Sequence, residues 1–248
     1  MTLPPDERRM DVLGVPVSVT TLDAAADTIT AWARAGSARM VTAPDVANVV
    51  RAQDDARLMG VHRAADLVCP DGMPLVWLGR LAGEPIARAC GPDLMIRLLN
   101  APDVGLRHYL YGGLPGVAET IARRAPAGSV VGWATPPFHA LDETELEALA
   151  AAIRRSGANL VWIGISSPNQ EYLMQRLHGR VDAVQMAVGA AFDFSSGRVA
   201  RAPRWMQRNG LEWLHRFLSE PRRLWRRYLV LAPRFVWLVF RQRLRSSA

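Results

Sequence analysis

From about residue 10 to residue 192, short apolar runs alternate with longer amphipathic segments. The short runs lack polar alternation and are typical of parallel strands buried on both faces, whereas the amphipathic segments are typical of covering helices. The predicted strands are Met40–Val41, Leu67–Val68, His108–Tyr111, Val130–Trp133, Leu160–Gly164 and Val184–Val188. The predicted helices are Ala24–Ala35, Val46–Met59, Pro74–Leu81, Pro92–Leu99, Gly116–Arg124, Asp142–Arg155 and Asn169–Leu177. This order predicts a layered α/β domain around a parallel sheet.

Four turns that follow predicted strands carry glycine, proline or polar residues. Their sequences are CPDGMP at 69–74, YGGLPG at 111–116, WATPPF at 133–138 and GISSPNQE at 164–171. Open α/β sheets bind ligands at the carboxyl ends of their strands, so we expect these turns to surround one cleft.

Each candidate in these turns has a structural alternative. Asp71 is placed to act as a general base, but an aspartate before glycine is also a common helix cap. The Gly112–Gly113 turn precedes a predicted helix and could bind a phosphate at the helix N-terminus, or could simply be tight. Gln170 could bind ligand hydroxyls, or could complete a capping box with Ser167.

The sequence lacks the motifs that several classes of enzyme chemistry require. The five histidines have no metal-binding spacing, no pair of aspartates is spaced as DxD, and no GxSxG motif is present. The absence of lysine excludes a P-loop. We therefore expect metal-free chemistry without a cofactor.

The chain has few features of an exported or membrane-spanning protein. Cys69 and Cys90 form no disulfide pattern, and the N-terminal segment has charges and prolines in place of an apolar run. The longest apolar stretch, Leu229–Phe240, is interrupted by Pro233 and Arg234 and is shorter than the roughly 20 residues that a span requires. We expect a cytoplasmic protein.

The net charge of +7 is unevenly distributed. Residues 201–248 contain 12 arginines and two acids, giving +10, whereas residues 1–200 contain 18 arginines and 21 acids, giving −3. This asymmetry predicts a domain over residues 1–200 and a basic, mostly helical appendage over residues 201–248.

The basic appendage also carries an apolar stripe. Its members recur at helical spacing and are Leu224, Tyr228, Leu231, Phe235 and Leu238. Basic amphipathic helices with aromatic residues are typical of membrane-surface contacts, which favours a peripheral membrane element here. Docking of the stripe on the domain, or its burial by a second subunit of a homo-oligomer, are alternatives. Nucleic acid would leave the stripe uncovered, so we expect no such partner.

Over nearly the whole chain, these motifs resemble the WecG/TagA/CpsF glycosyltransferases, glycosyltransferase family 26. The similar segments are VTAPDVANVVRAQDD, ADLVCPDGMPLVW, the Arg88–Gly91 turn, YGGLPG, PPF, GISSPNQE and VGAAFDFSSGRVARAPRWMQRNGLEWLHRFLSEPRRLWRRY. The last segment is the most specific, because many spaced positions agree in order.

The resemblance implies a Rossmann-like domain with a C-terminal appendage, an arrangement termed GT-E. It implies inverting transfer of a sugar, N-acetylmannosamine or a related hexose, from a UDP-sugar to a polyprenyl-diphosphate-linked saccharide during cell-surface polysaccharide synthesis. An exopolysaccharide glycosyltransferase that uses UDP-glucose or UDP-glucuronic acid is an alternative. A membrane adaptor without enzymatic activity is another.

The resemblance also implies roles for individual residues. The general base falls on Asp71. Substrate-binding positions fall on Thr42, Asp45, Arg88, Gln170, Arg216, Arg223 and Arg226. Arg222 and Arg227 are the alternatives to the last two if the register shifts by one residue. Thr42 and Asp45 depart from the family's Thr-x-Asn pattern, because they are one residue farther apart.

Overall fold

The predicted parallel α/β fold is confirmed. The computed structural model describes residues 8–101, 105–199, 202–203, 205–206 and 210–246, and for Arg223 and residues 245–246 it describes the backbone alone. The strands are β1 (Arg9–Val12), β2 (Val15–Ser18), β3 (Arg39–Thr42), β4 (Leu67–Val68), β5 (His108–Gly112), β6 (Val130–Ala134), β7 (Leu160–Gly164) and β8 (Val184–Ala187). Strands β3 to β8 form one parallel sheet in the order β4-β3-β8-β7-β5-β6.

Helices cover both faces of this sheet. They are α1 (Leu22–Arg34), α2 (Val46–Arg51), α3 (Ala56–Ala64), α4 (Met73–Leu81), α5 (Gly91–Leu99), α6 (Val117–Arg124), α7 (Glu143–Ser156), α8 (Asn169–Leu177) and α9 (Ala191–Ser195). One apolar cluster lies between the sheet and α1, α5, α6 and α9. A second cluster, on the other face, is covered by α3, α4, α7 and α8. Double coverage explains why the strands are apolar without alternation.

An N-terminal hairpin was not predicted from the sequence. Strands β1 and β2 pair antiparallel through a turn in which Leu13 and Gly14 both have positive φ, at 55° and 83°. Such a turn matches the twist of the strands that flank it. Val15 is fully buried in the core, so the alternating valines of this segment were the available signal.

The predicted helix Val46–Met59 is wrong as a single element. The chain forms α2 up to Arg51, turns, and restarts as α3, with the Asp55 side chain accepting a hydrogen bond from the Leu58 backbone nitrogen at 3.0 Å. An aspartate that caps a helix N-terminus in this way stabilises a new start, and apolar periodicity does not register such a break.

The C-terminal segment is helical, as predicted. Helix α10 spans Glu212–Ser219 and α11 spans Pro221–Trp225, followed by a π-helical stretch over Arg226–Leu231 and helix α12 over Ala232–Ser246. The π-helical stretch lies immediately before Pro233, which has no N–H to continue the α-helical hydrogen bonds. None of the helices described is both long and apolar enough to cross a bilayer.

The predicted apolar stripe packs against the domain. Leu224 and Phe235 are each only 4% exposed, and Phe235 belongs to the same cluster as the hairpin valines. At the end of α12, the Gln242 side chain bonds to Asp11 and to the Leu13 backbone nitrogen. The stripe is therefore a docking face, and the division of the chain at residue 200 stays a prediction.

A different apolar surface remains exposed on the appendage. We call it the outer face; its residues are Leu229, Val230, Val236, Trp237, Phe240 and Leu244. Arg241 stacks over the Trp237 ring at 5.4 Å, so a cation lies within this surface.

Candidate active site

The candidate site lies at the carboxyl edge of the sheet, around the ends of β4, β3, β8 and β7. Asp71 follows β4 and Asp45 follows β3, while Gly189 and Gln170 follow β8 and β7. The chain reverses its direction across the sheet at β3 and β8, and such reversals create clefts in open α/β sheets.

Asp71 is a partly exposed carboxyl in a charged environment. Helix α4 is capped by Gly72 without a side-chain hydrogen bond, so the capping alternative for Asp71 is wrong. Among the described residues, none donates a hydrogen bond to its carboxylate. Burial and the nearby charge of Asp45 raise the pKa of Asp71 to about 8, against the opposing effect of Arg88 and Arg227.

Asp45 joins the domain to the appendage. One carboxylate oxygen accepts a hydrogen bond from the Asn48 backbone nitrogen at 2.9 Å and caps α2, and the other pairs with Arg227. Burial opposes ionisation, but the charge of Arg227 and these hydrogen bonds outweigh it and hold the pKa of Asp45 below its usual value. Asp45 therefore carries a negative charge beside Asp71.

Arg88 makes a second link to the appendage. Its two terminal nitrogens bond to Glu212 at 2.7 Å and to Asp93 at 3.1 Å. The Cys90 thiol also donates to Asp93, at 2.9 Å. Asp71 thus lies in the field of two arginines, one from the domain and one from the appendage.

The Gln170 side chain is held by hydrogen bonds within the fold. It is buried, its side-chain oxygen accepts from the Gly189 backbone nitrogen at 2.9 Å, and its nitrogen donates to Glu171 at 3.0 Å. The residue before α8 is Pro168, so the capping box with Ser167 is also wrong. In this arrangement Gln170 fixes the turn after β8.

Thr42 is also withdrawn from the cleft. It is fully buried, and its hydroxyl lies 3.3 Å from Nδ1 of the buried His62. Burial lowers the pKa of His62 to about 4, so this histidine is neutral at pH 7. The extra residue before Asp45 thus separates a buried threonine from an aspartate that borders the site.

Both positions of the Gly112–Gly113 turn are too closely packed for a side chain larger than that of glycine. A methyl group on Gly112 would approach the Gly164 backbone oxygen to 2.6 Å, and one on Gly113, where φ is +74°, would approach Val117 to 2.6 Å. Strands β5 and β4 are four positions apart in the sheet, which is about 19 Å at the usual strand spacing. This turn can therefore contact only the far end of a ligand that reacts at Asp71.

The predicted arginines of the appendage lie in different surroundings. Arg216, on α10, lies over the Phe194 ring at 5.6 Å. Arg226 is exposed and lies over the Trp225 ring at 6.0 Å, whereas its neighbour Arg227 pairs with Asp45 beside Asp71. The side chain of Arg223 lies outside the described residues.

Glu212 was missed as a site residue. It is one of only two acids among the 12 arginines of residues 201–248, and an isolated acid in such a segment was a usable signal. Within the described residues, no group of three or more His, Cys, Asp or Glu side chains is arranged to hold a metal ion. Metal-free transfer stays a prediction.

A parallel α/β sheet with a carboxyl of raised pKa in the field of two arginines at its carboxyl edge has the features of an enzyme active site. The family model for WecG/TagA/CpsF glycosyl transferases matches residues 10–248, so the chain belongs to this family and is a glycosyltransferase. A relative from Bacillus spizizenii, an N-acetylglucosaminyldiphosphoundecaprenol N-acetyl-beta-D-mannosaminyltransferase, is 34% identical over 204 residues, covering 79% of this chain and 76% of the relative.

Proposed function

We propose that this enzyme transfers a sugar from a UDP-sugar to a saccharide linked to polyprenyl diphosphate, during synthesis of a cell-surface polysaccharide. The observation that carries the proposal is Asp71, a carboxyl without a hydrogen-bond donor among the described residues, whose pKa is affected by the charges of Arg88 and Arg227. The name of the Bacillus relative supports an N-acetylmannosamine-type donor sugar and an N-acetylglucosaminyl acceptor.

In the proposed reaction, ionised Asp71 removes the proton from the acceptor hydroxyl. The hydroxyl oxygen forms a bond to the anomeric carbon, the bond from that carbon to the diphosphate oxygen breaks, and UDP leaves with the electron pair. Attack from the face opposite the leaving group inverts the anomeric configuration. General-base assistance of this kind contributes about 10²–10⁴-fold to the rate.

The leaving UDP carries negative charge that the site has to stabilise. Arg88 and Arg227 both act electrostatically on Asp71 and supply two positive charges near it. Fixed charges aimed at a developing anion lower the barrier without reorganisation. We therefore propose that arginines carry out this stabilisation, and that turnover needs no metal.

The outer face of the appendage supports contact with the membrane that holds the acceptor. It combines exposed aromatic and aliphatic side chains with Arg241, which lies over the Trp237 ring. Apolar insertion and attraction to anionic headgroups reinforce each other in interfacial helices. We propose a peripheral position on the inner face of the cell membrane, with the docked stripe joining the appendage to the domain.

The test is a transfer assay with purified enzyme and a short-chain polyprenyl-diphosphate-linked N-acetylglucosamine acceptor. The donors are UDP-N-acetylmannosamine, UDP-N-acetylglucosamine, UDP-glucose and UDP-glucuronic acid, each with and without a chelator. We expect chelator-resistant transfer from the first donor, and a loss of about 10²–10⁴-fold in Asp71→Asn. Asp182→Asn is the matched control, because Asp182 is exposed at the opposite edge of the sheet. Near wild-type turnover by folded Asp71→Asn would exclude Asp71 as the base.

A further inference from the structure

Helix α4 exposes an apolar surface that begins beside the candidate site. The helix starts two residues after Asp71, and its sequence MPLVWLGRL contains one charged residue, Arg80. Surface helices usually turn polar residues outward, yet Trp77 is 51% exposed and Leu81 is 73% exposed. These two side chains are four positions apart and therefore share one face of the helix. Contiguous exposed apolar surface of this kind is typical of binding sites.

The end of α4 also forms one wall of a crevice of about 200 Å³. The other walls are the N-terminal hairpin and α12, and the apolar lining residues are Met10, Val12, Leu78, Ala82 and Val239. Leu78 and Ala82 lie next to the exposed face of α4, and we call Trp77, Leu78, Leu81 and Ala82 the α4 strip. Val239 continues the apolar surface on α12, because Val236, one turn earlier, belongs to the outer face.

The two ends of the α4 strip lie beside different parts of the enzyme. At the end near Asp71, the appendage contacts α4, since a methyl group on Gly210 would approach Met73 to 2.9 Å and Trp77 to 3.8 Å. The other end reaches the crevice beside α12. The nine residues of α4 span about 14 Å between these ends. The strip thus connects the cleft with the proposed membrane contact.

The acceptor of the proposed reaction has the chemistry that this surface fits. Its hydroxyl has to reach Asp71, and its prenyl chain begins one sugar and one diphosphate away, which is roughly the length of α4. A prenyl chain is apolar, so its contact with the α4 strip removes apolar surface of both from water. A second copy of the chain is a poor match, because a strip about 14 Å long and one helix wide covers roughly 140 Å², against roughly 800 Å² per partner in a standard interface.

We infer that the prenyl chain of the acceptor leaves the cleft along the α4 strip and enters the crevice between α4 and α12, from which it continues into the membrane at the outer face. This inference rests on the proposed function, because it takes a polyprenyl-linked saccharide as the acceptor. The domain then binds the lipid part of the substrate together with the appendage. A prenyl chain too short to reach the crevice forgoes part of this contact, so the enzyme prefers long-chain acceptors.

The test compares N-acetylglucosamine acceptors linked to undecaprenyl diphosphate and to geranyl diphosphate, with the full chain in non-ionic detergent. Ala82 is exposed and lines the crevice, so Ala82→Trp fills the crevice without disturbing the core. We expect this variant to lower kcat/KM about tenfold for the undecaprenyl acceptor, the effect of losing roughly 60 Å² of apolar contact, and less than about twofold for the geranyl acceptor. Ala82→Ser leaves the crevice open and should keep both values within about twofold of the wild type.

A second variant removes contact surface without adding bulk. Leu81→Ala should lower kcat/KM for the undecaprenyl acceptor about fivefold, because it removes roughly 40 Å² of apolar contact, and should change the geranyl value little. Ile96→Ala is the matched control. Ile96 is an exposed aliphatic residue of α5, on the other face of the sheet, and its replacement should leave the ratio of the two values unchanged.

Binding to anionic vesicles without acceptor distinguishes the acceptor's prenyl chain from membrane lipid. We expect Leu81→Ala and Ala82→Trp to bind vesicles as the wild type does. Weaker vesicle binding by Leu81→Ala, with equal losses for both acceptors, would mean that α4 lies in the membrane and would overturn the inference. Unchanged use of the undecaprenyl acceptor by both variants would overturn it as well. Failure of the wild type to use either acceptor would overturn the proposed function, and this inference with it.

Discussion

The pKa of Asp71 makes a quantitative prediction about the pH dependence of catalysis. Burial, and then the charge of Asp45, raise this pKa to about 8, so the carboxyl is mostly protonated at pH 7. A general base works only when ionised, and its ionised fraction rises from about one tenth at pH 7 to about nine tenths at pH 9. We therefore expect kcat/KM to rise about tenfold between these pH values.

The assay is the initial rate of transfer at subsaturating donor, measured from pH 6 to pH 9.5 at constant ionic strength. Under these conditions kcat/KM reports the ionisation of the free enzyme. Asp45→Asn provides the matched perturbation. It removes the negative charge that raises the pKa of Asp71 and leaves Arg227 without its partner, and both changes lower that pKa. In Asp45→Asn, the rise of kcat/KM with pH should therefore begin at lower pH than in the wild type.

Two outcomes would refute this reasoning. Two results count against Asp71 as a base whose pKa is raised by burial: a kcat/KM that does not depend on pH, or a pH profile that rises near the ordinary aspartate pKa. A limb that moved to higher pH in Asp45→Asn would mean that Asp45 acts on Asp71 otherwise than through its charge. Circular dichroism across the pH range controls for unfolding.

Two further predictions concern packing. Phe235→Ala should lower the free energy of unfolding by about 3–5 kcal/mol in denaturant titrations, because Phe235 is only 4% exposed. Phe240→Ala, at a residue 62% exposed, should change the free energy of unfolding by less than about 0.5 kcal/mol but weaken binding to anionic vesicles about tenfold. Equal vesicle binding by Phe240→Ala and the wild type would argue against the outer face as the membrane contact. Gly164→Ala should lower the free energy of unfolding by about 1–3 kcal/mol, since its methyl group would meet Phe192 at 2.2 Å. Gly60→Ala, in an exposed turn of α3 with open space around it, is the control and should be neutral or stabilising. An unchanged free energy of unfolding in Gly164→Ala would show that the Phe192 ring can move aside.

The sequence predicted the sheet well because most of its strands, though not the edge strand β6, are buried on both faces. Continuous apolar runs such as Leu160–Gly164 occur in few other settings, and each strand lies where the pattern placed it. The hairpin was missed because β1 is short and its turn, Leu13–Gly14, is not one of the usual hairpin dipeptides. Short elements stabilised mainly by tertiary contacts give little periodic signal.

The apolar stripe shows a limit of periodicity. Spacing identified a helical face that includes Leu224 and Phe235, but the same pattern suits a membrane surface and a protein core. The structure buries this face and exposes residues such as Trp237 and Phe240 in its place. What covers an apolar face depends on the rest of the fold, which the local sequence does not contain.

The site residues divide in the same way. Asp71 was predicted from a turn that follows a strand, and Arg88 from the family resemblance; the charge of Arg88 acts on the Asp71 carboxyl. The choice between the neighbouring Arg226 and Arg227 could not be made from the sequence, because it depends on which of them meets an acid from the domain; Arg227 pairs with Asp45, and Arg226 is exposed. Gln170 was predicted to contact substrate, yet both polar atoms of its side-chain amide form hydrogen bonds within the fold.

The strand order has a consequence for how this chain folds as it is synthesised. Strand β8 is the last strand made, yet it lies between β3 and β7 and joins two halves of the sheet that do not otherwise pair. Until residues 184–187 have been synthesised, the β4-β3 pair lacks the neighbour of β3, and the β7-β5-β6 group lacks the neighbour of β7. Open edges of this kind are prone to wrong pairing, so aggregation during expression should be most sensitive to the interval before β8 is added.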